Sequence, residues 1–139
     1  MLFRSAINIE APVHLTSLFL KLDELNTIIN LTSGLSFVPR TIVPVYSGTK
    51  AFLHSFTLSL RHLLRSKNIE VIEIIPPGIN TDLGGKGKHD ECPSVSNFIE
   101  SVFTQLSELK PDITFGFSEA ISRSGPEDLQ KIFARMNGD

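Results

Sequence analysis

The feature that most constrains this chain's fold is a pair of short apolar runs separated by one long amphipathic pattern. Residues 27–32 (TIINLT) and residues 69–75 (IEVIEII) are rich in β-branched side chains and carry apolar residues on both faces. Such runs are typical of strands buried in a parallel sheet, whose two faces are both covered by helices. Between them, residues 46–66 place apolar side chains three or four positions apart, which predicts one long helix. The order strand, helix, strand predicts a right-handed parallel crossover.

Further patterns extend this unit at both ends. Helical spacing over residues 12–25 predicts a helix before the first strand, and the same spacing over residues 95–109 predicts one after the second strand. Residues 112–117 predict a short third strand, and residues 126–139 predict a last helix with a proline in its first turn. We therefore expect a single α/β domain over residues 1–139: a partial Rossmann-like, doubly wound parallel sheet of about three strands with flanking helices.

Charge and cysteine content narrow the possible function classes. The chain has 13 basic and 15 acidic side chains, so it lacks the excess positive charge that binds nucleic acid or an acidic membrane. Its one cysteine, Cys92, can form no internal disulfide and, with four histidines, does not match a zinc-binding pattern. No apolar stretch approaches the ~20 residues of a membrane span, and Pro12 interrupts the N-terminal segment before it could form a signal peptide. We expect a cytoplasmic protein with no metal, nucleic-acid or membrane partner.

Polar residues that could carry chemistry follow the predicted strands at one edge of the sheet. Tyr46 and Lys50 begin the long helix four residues apart, and therefore share one face. A cation beside a phenol favours the phenolate, which suits the tyrosine for exchanging a proton with a substrate oxygen. The same spacing also occurs on exposed helix faces without a catalytic role. Ser33 after the first strand and Thr81 after the second favour the catalytic interpretation, because open α/β sheets bind ligands at the carboxyl ends of their strands.

These segments together resemble the short-chain dehydrogenase/reductase family. Residues 28–34 (IINLTSG), 44–50 (PVYSGTK) and 73–81 (EIIPPGINT) look like that family's catalytic-serine strand, its Tyr-x-x-x-Lys helix and its Pro-Gly cofactor loop, in the same order. Asn8 is similar to the asparagine of the family's fourth helix. From the GGKG stretch at 84–87 onward, the sequence looks like a subgroup of oxidoreductases whose substrates are poorly defined. The resemblance covers nearly the whole chain.

The resemblance implies a catalytic role for four residues. Tyr46 would act as the general acid/base, and Ser33 would hydrogen-bond the substrate oxygen as charge develops on it. Lys50 would favour the tyrosine's ionised form and hold the nicotinamide ribose. Asn8 would support a water that relays protons from Lys50.

The resemblance also implies a cofactor and a substrate class. The cofactor would be NAD or NADP, whose nicotinamide carries the hydride while the protein positions it. The substrate would be a small-molecule alcohol or carbonyl compound, and residues 84–92 would form a flexible loop that closes over it. The residues that would contact the cofactor are Tyr46, Lys50, Pro77, Gly78, Ile79 and Thr81.

The sequence departs from the family in one respect. No Gly-x-Gly-x-x-Gly turn follows any predicted strand, and the resemblance implies that the phosphate-binding N-terminal half of the sheet lies upstream of Met1. The strand around Ile29 would then present an unpaired apolar edge, so we expect self-association of the isolated chain.

Two other interpretations stay open. The chain could be a catalytically silent association module, because helices over residues 12–25 and 45–66 correspond to those that usually build the family's dimer interface. In either case we expect a homo-oligomer through these helices. A serine hydrolase is the third interpretation, although no Gly-x-Ser-x-Gly elbow surrounds Ser33. His54, on the long helix, is interpreted as a hydrogen-bonded packing residue rather than a ligand.

Overall fold

A computed structural model describes residues 5–138 of the chain. Its centre is a three-stranded sheet made of β1 (Thr27–Leu31), β2 (Glu70–Ile75) and β3 (Asp112–Thr114). The strands lie in the order β1-β2-β3, and both neighbouring pairs are parallel. This confirms the predicted partial Rossmann-like sheet with flanking helices.

Helices connect the strands and cover the sheet. Pro44 begins the long helix, where its missing N–H costs no hydrogen bond, and Ser94 caps the next by accepting the N–H of Asn97 at 3.2 Å. In chain order the helical segments are a π-helical turn (Ala6–Glu10), α1 (Ala11–Phe19), a 3-10 turn (Gly34–Ser36), α2 (Pro44–Leu64), α3 (Val95–Ser107), α4 (Phe117–Arg123) and α5 (Pro126–Asn137).

The core has two layers because β2 is buried on both faces. On one face, Leu60 and Leu64 of α2 pack against Val71. On the other, Val102 of α3 packs with Ile72 and Ile113, which is fully buried. Neighbouring residues of a strand point to opposite faces, so this alternation places α2 and α3 on opposite sides of the sheet. β1 lies at one edge of the sheet, where Ile29 is 48% exposed.

The predicted helix over residues 12–25 starts within one residue of α1, which begins at Ala11 with Pro12 in its first turn, but it is too long at its C-terminal end. Helical structure already begins at Ala6, in the π-helical turn, and α1 stops at Phe19. Beyond it the chain turns, with the N–H of Leu22 donating to the carbonyl of Phe19 at 2.9 Å. This turn leads the chain into β1, which begins at Thr27. Helical spacing of Leu22 and Leu25 therefore did not indicate a helix.

The predicted strand over residues 112–117 is also too long. β3 ends at Thr114, and Gly116, with φ 55°, redirects the backbone into α4, which the sequence interpretation missed. Ser118 stabilises this change of direction: its Oγ accepts the N–H of Phe115 at 3.0 Å and donates to the carbonyl of Ile75. The Ser118 hydroxyl thus satisfies the Ile75 carbonyl, which the backbone of a longer β3 would otherwise pair with.

Candidate active site

The loops that follow β1 and β2 meet at one edge of the sheet. Ser33 is 8% exposed, and its Oγ accepts the N–H of Leu35 at 3.1 Å, which caps the 3-10 turn. The next residue, Gly34, donates its N–H to the carbonyl of Pro76 at 3.0 Å. The loop carrying Ser33 and the loop carrying the Pro-Gly segment are therefore hydrogen-bonded to each other, as expected for the carboxyl ends of parallel strands.

Tyr46 and Lys50 lie on one face at the start of α2. The Lys50 Nζ lies 5.8 Å from the centroid of the Tyr46 ring. The same Nζ donates to the carbonyl of Leu31 at 2.8 Å, at the end of β1 and two residues before Ser33. The ammonium group thus links the Tyr46 turn to the strand that leads into Ser33. Burial lowers the pKa of Lys50 below its usual 10.5, because desolvation disfavours the charged form.

This shift of the Lys50 pKa makes stability depend on pH. Between the folded and unfolded pKa values the unfolded chain binds more protons, so the unfolding free energy rises with pH across that window. We compare the unfolding free energy of Tyr46→Phe with that of Tyr46→Phe/Lys50→Met. The first minus the second should increase as pH rises from neutral toward 10.5. Both variants lack a titrating phenol, so urea unfolding of the pair isolates the lysine. A pH-independent difference between them would show that Lys50 titrates alike in both states.

Asn8 lies beside this turn but does not contact Lys50 by any hydrogen bond of the described structure. Its Nδ2 donates to Thr49 Oγ1 at 3.1 Å, and Thr49 Oγ1 donates to the carbonyl of Tyr46 at 2.8 Å. The asparagine therefore fastens the π-helical turn to the first turn of α2. Its water-relay role stays a prediction.

The Pro-Gly segment continues into a loop that packs against residues 89–93. Asn80 donates its N–H to the carbonyl of Pro93 at 2.9 Å, and a Cβ at Gly78 would lie 3.1 Å from Cys92 Sγ. Thr81 Oγ1 accepts the N–H of Leu83 at 3.4 Å. The predicted cofactor residues of this segment, Pro77, Gly78, Ile79 and Thr81, thus follow β2 at the same edge as Ser33.

Two residues that sequence analysis did not assign to the site lie beneath it. Glu73 of β2 is completely buried, and its Oε1 accepts the Thr32 hydroxyl at 2.6 Å. His54 of α2 places Nδ1 2.9 Å from both Glu73 oxygens, which agrees with its interpretation as a hydrogen-bonded packing residue. The signal that could have revealed the pair is an acidic residue in a strand buried on both faces, since buried carboxyl groups need partners.

Known proteins with related sequences place this arrangement in a family. Residues 4–91 match the family model of the short chain dehydrogenases. This chain belongs to the short chain dehydrogenase family. The predicted recognition of residues 28–34, 44–50 and 73–81 as family motifs is thereby confirmed at the level of the family.

Relatives in the short chain dehydrogenase family extend beyond this chain. The uncharacterized oxidoreductase DltE of Bacillus subtilis (strain 168) is 38% identical over 140 residues, covering 94% of this chain and 55% of that protein. A short chain dehydrogenase from Burkholderia cenocepacia J2315 in complex with NADP shares the fold, with TM-score 0.82 and 21% identity over 94% of this chain and 57% of its own. One from Sphingobium yanoikuyae in complex with NADPH has TM-score 0.74 and 17% identity, with coverages of 94% and 54%. The chain spans about half the length of these relatives.

Within residues 5–138, no three histidine, cysteine or acidic side chains lie together so that they could hold a metal ion. In the same part of the chain, no helix has both the length and the apolar character needed to cross a membrane.

Proposed function

We propose that this chain carries the catalytic residues of an NAD(P)-dependent oxidoreductase that interconverts a small alcohol and a carbonyl compound. The observation that carries the proposal is the position of Lys50, whose Nζ lies against the Tyr46 ring and is bound to the carbonyl that ends β1. Family membership supports an oxidoreductase, and two fold relatives are complexes with NADP and NADPH. The alcohol or carbonyl substrate, and the use of either NAD or NADP as cofactor, are parts of this proposal.

In this proposal the proton moves at the Tyr46 hydroxyl. The phenol gives its proton to a carbonyl oxygen during reduction and takes one from an alcohol during oxidation. The Lys50 ammonium lowers the cost of the phenolate left behind. The Ser33 hydroxyl accepts the Leu35 N–H, which orients it, and its own hydrogen remains to donate to the substrate oxygen.

The donor groups of this edge fit the nicotinamide end of the cofactor. An ammonium group has three N–H donors, and the Leu31 carbonyl accepts one from Lys50, so two can bind ribose hydroxyls. When bound, the nicotinamide supplies or accepts the hydride. The backbone of residues 77–79 and the Thr81 hydroxyl would orient its ring from the loop after β2.

The first test is cofactor binding by this chain. Fluorescence titration with NADH and NADPH should show saturable binding, and Lys50→Met should weaken it about 10- to 100-fold, since hydrogen bonds from a charged group contribute about 1.5–3 kcal/mol. Lys67→Met is the matched control, because Lys67 is exposed in the turn after α2 and should leave binding unchanged. Equal effects of the two substitutions would contradict the assignment of Lys50.

A second candidate function is self-association without catalysis. Apolar side chains of α1 and α2 are exposed, including Leu18 at 42%, Phe19 at 49% and Leu63 at 67%. These helices correspond to the expected oligomer surfaces over residues 12–25 and 45–66. Absence of saturable cofactor binding, together with a mass that rises with protein concentration in light scattering, would favour this function over the oxidoreductase.

A further inference from the structure

Glu73 has a buried carboxyl group at the centre of the sheet. On β2 it points to the same face as Val71 and Ile75, beneath α2, and it has no solvent exposure. Removing a carboxylate from water costs several kcal/mol unless hydrogen bonds compensate. Here Thr32 Oγ1 and His54 Nδ1 supply them, at 2.6 Å and 2.9 Å. We call Thr32, Glu73 and His54 the buried triad.

The two partners of Glu73 adjoin the proposed catalytic residues in the sequence. Thr32 immediately precedes Ser33, and its N–H is held by the carbonyl of Ile74 at 2.9 Å. His54 follows Lys50 by one turn of α2, and its ring packs against Phe37 with centroids 4.5 Å apart. One side chain therefore joins the strand end that carries Ser33 to the helix that carries Tyr46 and Lys50.

Holding α2 on the sheet does not by itself require this arrangement. Leu60 and Leu64 pack on Val71 farther along the helix and hold it without a buried carboxyl group. Apolar contacts tolerate small sliding movements, whereas hydrogen bonds to a carboxyl group are directional and fix both distance and angle. Farther along α2, Thr57 Oγ1 accepts from Asn30 at 2.9 Å and Arg61 Nε donates to the Val71 carbonyl at 2.9 Å. Of these three directional contacts, the one between His54 and Glu73 is nearest the Tyr46–Lys50 turn. The proposed proton transfer needs accurate alignment there, since a displacement near 1 Å costs about 10²-fold in rate.

We propose that Glu73 is a positioning residue, which acts through Thr32 and His54 to set the Tyr46–Lys50 turn of α2 against the strand end bearing Ser33. The proposal rests on the proposed function for the meaning of that alignment. Its structural content is separate. Breaking the buried triad should shift α2 against the end of β1 and so break the hydrogen bond from Lys50 Nζ to the Leu31 carbonyl. The released ammonium group should then move away from the Tyr46 ring.

The chain offers a direct optical readout of this movement. It contains one tyrosine and no tryptophan, so tyrosinate absorbance in the near ultraviolet reports the ionisation of Tyr46 alone. Displacing a nearby ammonium group raises the pH at which a phenol ionises, toward the value of about 10 for a free tyrosine. The readout needs neither cofactor nor substrate, so it gives an answer even if the proposed function fails.

Thr32→Val and Thr57→Val form the matched pair for the experiment. Both threonines are buried, at 1% and 0% exposure. Thr32, which follows β1, donates to Glu73 of β2 at 2.6 Å, and Thr57 of α2 accepts from Asn30 of β1 at 2.9 Å. Each substitution removes one hydroxyl and changes no charge. We expect Thr32→Val to raise the midpoint of Tyr46 ionisation, Thr57→Val to leave it unchanged, and Thr32→Ser to restore it. Urea unfolding measures the stability loss of each variant separately.

Equal midpoints for Thr32→Val and the wild-type chain, or equal shifts for the two valine variants, would overturn the proposal. If Thr32→Val does not fold, His54→Leu breaks the buried triad from the helix side and should raise the midpoint in the same way. Where both variants fold, the shift in Thr32→Val/His54→Leu should be smaller than the sum of the two single shifts, because both substitutions act through Glu73. Additive shifts would show that Glu73 does not connect them.

Discussion

Replacing Tyr46 with phenylalanine should lower kcat by about 10²- to 10⁴-fold, the usual contribution of general acid–base catalysis. The substitution removes the hydroxyl proposed to exchange the proton, and it preserves the aromatic ring that lies 5.8 Å from the Lys50 ammonium. Binding of NADPH should weaken much less than kcat falls, because the substitution removes one proposed cofactor contact, the Tyr46 hydroxyl, and leaves Lys50 and residues 77–81 in place. The measurement is NADPH-dependent reduction of carbonyl compounds, by this chain or by a longer polypeptide that contains it.

The serines of the adjoining turn provide the control for that result. Ser33→Ala should also lower kcat, because it removes the hydroxyl proposed to donate to the substrate oxygen. Ser36→Ala should not, because the Ser36 hydroxyl is buried in the same turn and makes no hydrogen bond within the described structure. An unchanged kcat in Tyr46→Phe would remove that residue from the mechanism, whatever the serine variants do.

Replacing Ile113 with alanine should cost about 2–5 kcal/mol of unfolding free energy, the range for large-to-small substitutions in a core. Ile113 is completely buried between the sheet and α3, in contact with the cluster that includes Ile72 and Val102. A domain of this size is typically stable by about 5–15 kcal/mol, so the variant should unfold at a much lower urea concentration.

Ile42→Ala is the control for the core substitution. Ile42 is 72% exposed, and truncating an exposed side chain usually changes stability by no more than about 0.5 kcal/mol. Because both substitutions are isoleucine to alanine, a difference in their effect on unfolding free energy reflects burial and not the type of side chain. Similar urea midpoints for the two variants would contradict the assignment of Ile113 to the core.

Helices and strands could be predicted from the sequence where neighbouring residues determine their formation. Strands β1 and β2 were found because β-branched residues on both faces are suited to a covered sheet, and α2 because its apolar side chains repeat at helical spacing. Its start at Pro44, rather than Tyr46, follows from the preference of proline for a first turn. Residues 112–117 were misjudged because Phe115 and Phe117 are suited to a strand, while Gly116 and the Ser118 hydrogen bonds determine the turn.

In the candidate site, too, contacts between neighbouring residues could be predicted, and contacts between distant segments could not. Tyr46 and Lys50 could be paired from spacing alone, because one helical turn brings them together. The hydrogen bond from Lys50 to Leu31 could not, because it depends on how α2 lies over the end of β1. Asn8 was singled out by resemblance, but its contact with Thr49 joins residues 41 positions apart and required the packed structure.

The sequence by itself determined a parallel strand–helix–strand unit with a tyrosine, a lysine and a serine near one edge of its sheet. It did so because periodicity, helix starts and strand composition act over neighbouring residues. Only the tertiary structure decided that Glu73 lies buried between Thr32 and His54 and that Gly34 is bound to the carbonyl of Pro76. Those contacts depend on the register between segments distant in the chain, and register is set by the simultaneous packing of both sheet faces.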